Sequence, residues 1–344
     1  MKRIASVLFL VILLTGCQSI KELYIETYNP AEITYPEAVA RILIVNNTVP
    51  QPPDVGYELY LLGKQQDTCR ANADSAAWDA CKTLGKAIIE ANYFEDVLLY
   101  HFPTRTDDRF IADGKMSAEK VRELCKETGT DAIISFDRLL FNMRKDVDAV
   151  SNDEFQGKIK VEVGGIVRTY LPDRTIPLAS VVVNDSLEFR EYAVHQELLD
   201  VFLPTPDVAL RAAGTYIGAT LYPTFVPYWD EEKRWYYTGA GSRWKEASAY
   251  AAAGKWTEAL ESWHTLYTKS SNKKIKAKLA SNMALGEEMT GHFDKAHHWA
   301  VTSKDLFKET EGEEAMHTKL LHAYTAVLQQ RIQSDKKLDI QFGE

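Results

Sequence analysis

The chain has 344 residues and a formal net charge of −9, with 26% charged and 11% aromatic residues. That composition excludes a disordered polymer and supports a core large enough for two or three domains. The acidic balance argues against nucleic acid as a partner, because binders of nucleic acid carry a basic patch.

Lys2 and Arg3 give a positive start, and Ile4 to Leu14 is then apolar apart from Ser6. This run is shorter than the about 20 residues needed to span a bilayer core and has the length of a secretory signal's apolar region. Leu14-Thr15-Gly16-Cys17 follows, and it resembles the lipobox of bacterial lipoproteins. The resemblance implies a signal peptide over residues 1–16, cleavage after Gly16, and a Cys17 carrying diacylglycerol and an acylated amine such as a palmitate amide. Several acyl chains, each contributing about 0.8 kcal/mol per buried methylene, make a stable anchor. Gln18, where Asp would retain a lipoprotein at the inner membrane, implies by resemblance to enterobacterial sorting a place in the outer membrane. Ser19 to Glu22 carries no acidic cluster, which points to the periplasmic face. Loss of Lys2 and Arg3 with the signal leaves 328 residues and a charge near −11.

Residues 17–37 then read as a lipid-anchored linker, with breaks at Pro30 and Pro36. Arg41 to Asn47 is a short β-branched apolar run ended by turn-formers, which predicts a buried strand. Residues 48–58 hold three prolines and a glycine and form a loop. From Asp74 to Asn92 the period becomes helical, with Trp78, Cys81, Leu84, Ile88 and Ile89 on one face. Residues 97–100 give the next strand. Ser117 is the predicted N-cap of a helix with Glu119 in its first turn and Val121, Leu124 and Cys125 as its apolar stripe, ended by Gly129. Residues 131–136 give a third strand, reaching towards Met143. Residues 158–163 alternate polar and apolar, and Gly164-Gly165 predicts a bulge in that strand. A turn at Pro172-Asp173 leads to a strand over about 181–189. Residues 206–222 predict a helix whose Ala212, Ala213, Gly214, Gly218 and Ala219 permit close approach to the sheet. Among the cysteines, Cys69 and Cys81 could form a disulfide in an oxidising compartment, whereas Cys81 and Cys125 also read as small buried apolar residues; the sequence leaves both readings open.

This order predicts an α+β fold: a mixed β-sheet flanked by helices over residues 38–225, then an aromatic connector over 226–241 and an all-α region over 242–335. Arg41-Ile42-Leu43-Ile44-Val45-Asn46-Asn47, Gly129-Thr130-Asp131-Ala132-Ile133-Ile134 and the turn at Pro172-Asp173 are similar to features of curli-secretion-type lipoproteins and TolB-like amino-terminal domains. That resemblance covers residues 38–225 and carries no catalytic motif. Tyr222 to Trp229 and Trp235-Tyr236-Tyr237, leading into and through the connector, are the densest aromatic segment. The sequence reads it as packing a joint between the domains, with binding of a partner or glycan as the alternative, and its prolines predict an irregular segment.

The all-α region repeats with period 37. Ala247 matches Ala284, Gly254 matches Gly291, Trp256 matches Phe293, and Ala259 matches Ala296. The pattern resembles tetratricopeptide repeats, whose period is about 34; the extra residues fit Ser270-Ser271-Asn272. Alanines let paired helices approach, and the aromatic fills the space beside them. Residues 312–333 predict a capping helix with Leu320, Leu321, Tyr324 and Leu328 apolar. The whole chain is also similar to uncharacterised Bacteroidales lipoproteins, through the lipobox, Glu26-Thr27-Tyr28-Asn29-Pro30-Ala31, Ile44-Val45-Asn46-Asn47 and the tail of helices.

No metallopeptidase, nucleophile-elbow, dinucleotide or P-loop motif is present, and no cofactor is expected. His292, His297 and His298 read as solvated or partly packed, since adjacent residues diverge by about 100° on a helix. Asp137, Asp146, Asp148 and Asp153 read as a solvated face rather than as an acid–base or calcium group. The expected function is a non-enzymatic, lipid-anchored envelope protein that binds a protein through its repeats, with Trp263 and Lys295 as groove residues. The alternatives are a subunit of an outer-membrane secretion or assembly complex, with homo-oligomerisation open, and an enzyme acting on envelope polymers.

Overall fold

The computed structural model describes residues 20–66, 70–151 and 153–343. The expected signal peptide, Cys17 and Cys69 lie outside the described residues. The fold is α+β, and the chain divides into a sheet unit, residues 31–228 with 341–343, and a helical unit, residues 20–30 with 229–340.

The sheet unit is organised by three parallel strands, β2 (Arg41–Asn46), β5 (Asp96–Tyr100) and the start of β6 (Ala132–Ser151). β2 lies between β5 and β6, with Ile42 opposite both Val97 and Ala132. Ile42 to Asn46 is buried throughout, as a central parallel strand covered on both faces must be. α1 (Asp74–Ala91) packs on the face bearing Ile42, Ile44 and Ile134. α2 (Ala118–Thr128) packs on the opposite face, where Leu43, Val45 and Ile133 meet Val121, Leu124 and Cys125. Ser117 caps α2 by accepting the Lys120 amide at 3.2 Å, and Gly129 ends it. Farther along β6, the short β3 (Tyr57–Leu61) pairs in parallel beside Met143 to Val147, and β4 (Lys64–Gln65) pairs with β3. β7 (Glu154–Tyr170) and β8 (Ala179–Ala193) complete the sheet as an antiparallel meander.

Several local expectations change here. The irregularity near Gly164 and Gly165 falls on the partner strand: Phe136 pairs with Val167 and Arg138 with Ile166, so Asp137 is the extra residue. Gly165 instead makes room, since a Cβ there would stand 2.4 Å from the Arg138 carbonyl oxygen. Of the small residues of α4 (Pro206–Phe225), Gly214 and Gly218 face α1 rather than the sheet, and Ala219 is exposed. A Cβ at Gly214 would sit 2.0 Å from the Ala76 carbonyl oxygen, and one at Gly218 2.3 Å from that of Ala80. Ile89 points away from the core of α1 and is exposed. Between β8 and α4, α3 (Gln196–Phe202) sets Leu199 over Gly157. Cys81 and Cys125 are buried free thiols, and burial pushes both pKa values up.

The helical unit begins with strand β1 (Ile20–Asn29), where a linker was expected. Its partner is β9 (Tyr228–Tyr237), which replaces the expected irregular connector. The physical reason is pairing: two segments some 200 residues apart satisfy each other's backbone, and neither shows this locally. Pro223 lies inside the last turn of α4, and Pro227 precedes β9, so neither breaks a regular element. Five helices follow: α5 (Ser242–Ala252), α6 (Trp256–Lys269), α7 (Lys273–Met289), α8 (Phe293–Glu311) and α9 (Met316–Phe342). Residues 279–286 of α7 are buried without interruption, which makes α7 the central helix of this unit. α9 runs past the expected capping segment to Phe342. Asn282 of α7 clamps β9, accepting the Tyr237 amide at 2.6 Å and donating to the Tyr237 carbonyl at 2.7 Å.

Candidate functional site

The residues of the period-37 repeat occupy equivalent positions in two helical hairpins. Ala247, Ala259, Ala284 and Ala296 are fully buried. Gly254 and Gly291 adopt φ of +70° and +78°, a left-handed conformation that glycine takes without strain, and nothing stands near where their Cβ would be. The next residue closes each turn in the same way: Lys255 donates to the Tyr250 carbonyl and His292 to the Glu287 carbonyl, both at 2.9 Å. These bonds are five residues long, the pattern that ends a helix on a left-handed residue. Trp256 and Phe293 begin the second helix of each hairpin and are half-buried.

A cleft of about 480 Å³ lies across α6, α7 and α8. Leu260, Met283 and Trp299 supply its apolar wall and are buried or half-buried. Glu261, His264 and Thr265 are exposed at the same cleft, and Glu287, paired with His292 at 3.0 Å, completes it. Trp299 is braced by an edge contact with Tyr267 at 5.3 Å. Trp263, expected in the groove, is fully buried against Tyr236 instead. Lys295 lines a separate hollow with His292, Asp294 and Asp335. His298 lies against Trp299, and no metal-holding group of side chains occurs among the described residues.

The sheet unit holds a polar cluster that contradicts the solvated-face reading of Asp137. This carboxylate is fully buried and accepts hydrogen bonds from Ser135 at 2.6 Å, Arg168 at 2.8 Å, Asn47 at 3.1 Å and the Tyr170 hydroxyl. Arg168 also grips Asp113 bidentately at 2.5 and 2.7 Å, which holds the Asp113 carboxyl below its ordinary pKa. Burial, then the Asp137 charge, pushes the Tyr170 phenol up. The cluster was hidden because Asp137 and Arg168 meet only through the β6–β7 register and its bulge. Asp146 is also mostly buried, held by Arg144 at 2.8 Å, while Asp148 is exposed.

Residues 39–237 match the family model described as a domain of unknown function, DUF8603, and residues 245–330 match a second, DUF6340. No curated protein matches the chain. Among the described residues, no helix is long and apolar enough to cross a membrane.

Proposed function

The chain belongs to the DUF8603 family, whose description carries no activity, and from its own geometry we propose that it is a lipid-tethered envelope protein that holds a segment of another protein in its helical unit. The anchor reading rests on Leu14-Thr15-Gly16-Cys17; Gln18 supports an outer membrane and Ser19 to Glu22 its periplasmic face. The observation that carries the binding reading is the cleft between the hairpins, with the apolar wall of Leu260, Met283 and Trp299 beside the acidic Glu261 and Glu287. Grooves across stacked helical hairpins hold extended or helical segments by such apolar anchors with charges at the rim. The chemistry fits a partner segment with one bulky apolar side chain next to Lys or Arg. Nothing in the reading requires catalysis.

Cross-linking in intact cells, followed by purification of the full chain, tests this. A defined partner is expected, and Glu261→Lys should weaken its capture at least about tenfold, the scale of a lost charge-assisted contact. Undiminished capture by that variant, or none by the wild type, rejects the reading. Mass spectrometry of the purified chain should show a mature amino terminus that begins at an acylated Cys17; an unmodified Cys17, or a chain that keeps residues 1–16, would reject the anchor.

A further inference from the structure

A second site lies in the sheet unit, where chain order and space order part. After β2 the chain visits β3 and β4 beyond β6 and returns through α1 to β5. It then crosses back past β2 through α2 to β6, and the covering helices α1 and α2 lie on opposite faces. Loops leaving β2 and β5 therefore separate at the carboxyl ends of the parallel strands, which is where open α/β sheets form ligand crevices. A cavity of about 300 Å³ occupies this position. Asn47 follows β2, residues 104–117 follow β5, and α2 begins at its edge. Asn47 is 2% exposed and oriented by Thr104, Gly114 and Asp137.

The charge there is unequal. Arg105, Arg109, Lys115 and Lys120 line the cavity against two carboxylates, Asp107 and Asp113. Both acids are already engaged: Asp107 by the Arg105 guanidinium at 2.7 and 2.9 Å, and Asp113 by Arg168. Hydrogen bonding from Arg105 pulls the Asp107 pKa down to about 2, so this acid stays ionised and paired. Arg109 reaches Asp107 only at 3.8 Å. Lys120 pairs with Glu123 at 3.2 Å, an exposed contact that a bound anion can displace, and no carboxylate pairs with the Lys115 ammonium among the described residues. Arg105 Nη1 is buried with no hydrogen-bond partner. The amino end of α2 adds its partial positive charge to the same edge.

We infer that this cavity binds a small soluble molecule through a phosphate group, with Lys115, Lys120 and Arg109 as its charge partners. Asn47 and the Asp137–Arg168 cluster behind it hold the cavity's shape. The volume is at the lower end of ligand pockets, enough for a phosphate on a small polar body and too little for acyl chains.

The probe is inorganic phosphate, titrated into the full chain in detergent against sodium chloride of matched ionic strength. Phosphate should raise the melting temperature and chloride should not. Lys115→Gln with Lys120→Gln should weaken phosphate binding at least about tenfold, because each lysine contributes a charge-assisted hydrogen bond, while the melting temperature without phosphate stays put. Equal stabilisation by chloride, undiminished binding by the variant, or stabilisation by magnesium alone overturns the proposal. Binding only to phosphatidic acid vesicles, with none to free phosphate, would also overturn it.

Discussion

The two units bury the same chemistry in different surroundings. In the sheet unit an arginine, a carboxylate and a tyrosine meet as Arg168, Asp137 and Tyr170; in the helical unit they meet as Arg234, Glu288 and Tyr324. Arg234 binds Glu288 at 2.8, 3.0 and 3.2 Å, and the Tyr324 hydroxyl donates to Glu288 at 2.6 Å. Each arginine also has a second, more exposed carboxylate, Asp113 and Glu232. Burial first, then the Glu288 charge, pushes the Tyr324 phenol far up. The difference lies in what is left over. The helical cluster joins β9, α7 and α9 and fixes their mutual register. In the sheet cluster, Asp137 also orients Asn47 at the wall of a cavity. Identical polar groups thus serve a lock in one place and the back of a binding site in the other, according to whether the next layer is side chain or open space.

The comparison can be broken first at Glu288. Glu288→Ala leaves a guanidinium that is 6% exposed facing Glu232 alone. It should cost about 3–5 kcal/mol in urea denaturation, as loss of one partner from a buried pair does. Asp137→Ala should cost less, about 2 kcal/mol, because Asp113 still grips Arg168 through two hydrogen bonds and water can enter from the neighbouring cavity. Equal costs would mean that the sheet cluster is as closed as the helical one. Asn282→Ala removes both partners of the Tyr237 backbone and should cost about 2 kcal/mol, or less where water enters. A null effect in hydrogen exchange at the Tyr237 amide would show that β9 is held by β1 and its aromatic packing alone.

The smallest effect concerns pH. The folded Asp113 carboxyl titrates below its ordinary value of 3.8, so its contribution is fully present above that value and is lost as pH falls through the lowered one. Its side chain is about half exposed, and screening keeps the contribution below about 1 kcal/mol. The melting-temperature gap between wild type and Asp113→Asn should be small at pH 7 and close on acidification below pH 4. A gap that widens in acid would reverse the assigned sign.

Features carried by adjacent residues were legible in the sequence. The apolar run from Arg41, the Ser117 cap and the Gly129 stop each follow from a few neighbouring residues, and the equivalence of Gly254 and Gly291 follows from a constant offset. What escaped was set by pairing at a distance. Leu23, Ile25 and Thr27 alternate as a strand should, but the partner that makes this a strand begins some 200 residues later. Asp137 looked like one of several surface acids because its burial depends on an extra residue in a register that only both strands define. The glycine face of α4 signalled close packing correctly, but not that its neighbour would be another helix.

Strand β1 also sets a leash. A linker of residues 18–37 would let the body roam roughly 70 Å from its lipid, at the reach of an extended chain. With pairing begun at Ile20, three residues after Cys17, the free reach from the proposed anchor shrinks to about 10 Å. The proposed lipid and the helical unit would then move as one body, and any site on that unit would sample only the layer of solvent next to the headgroups.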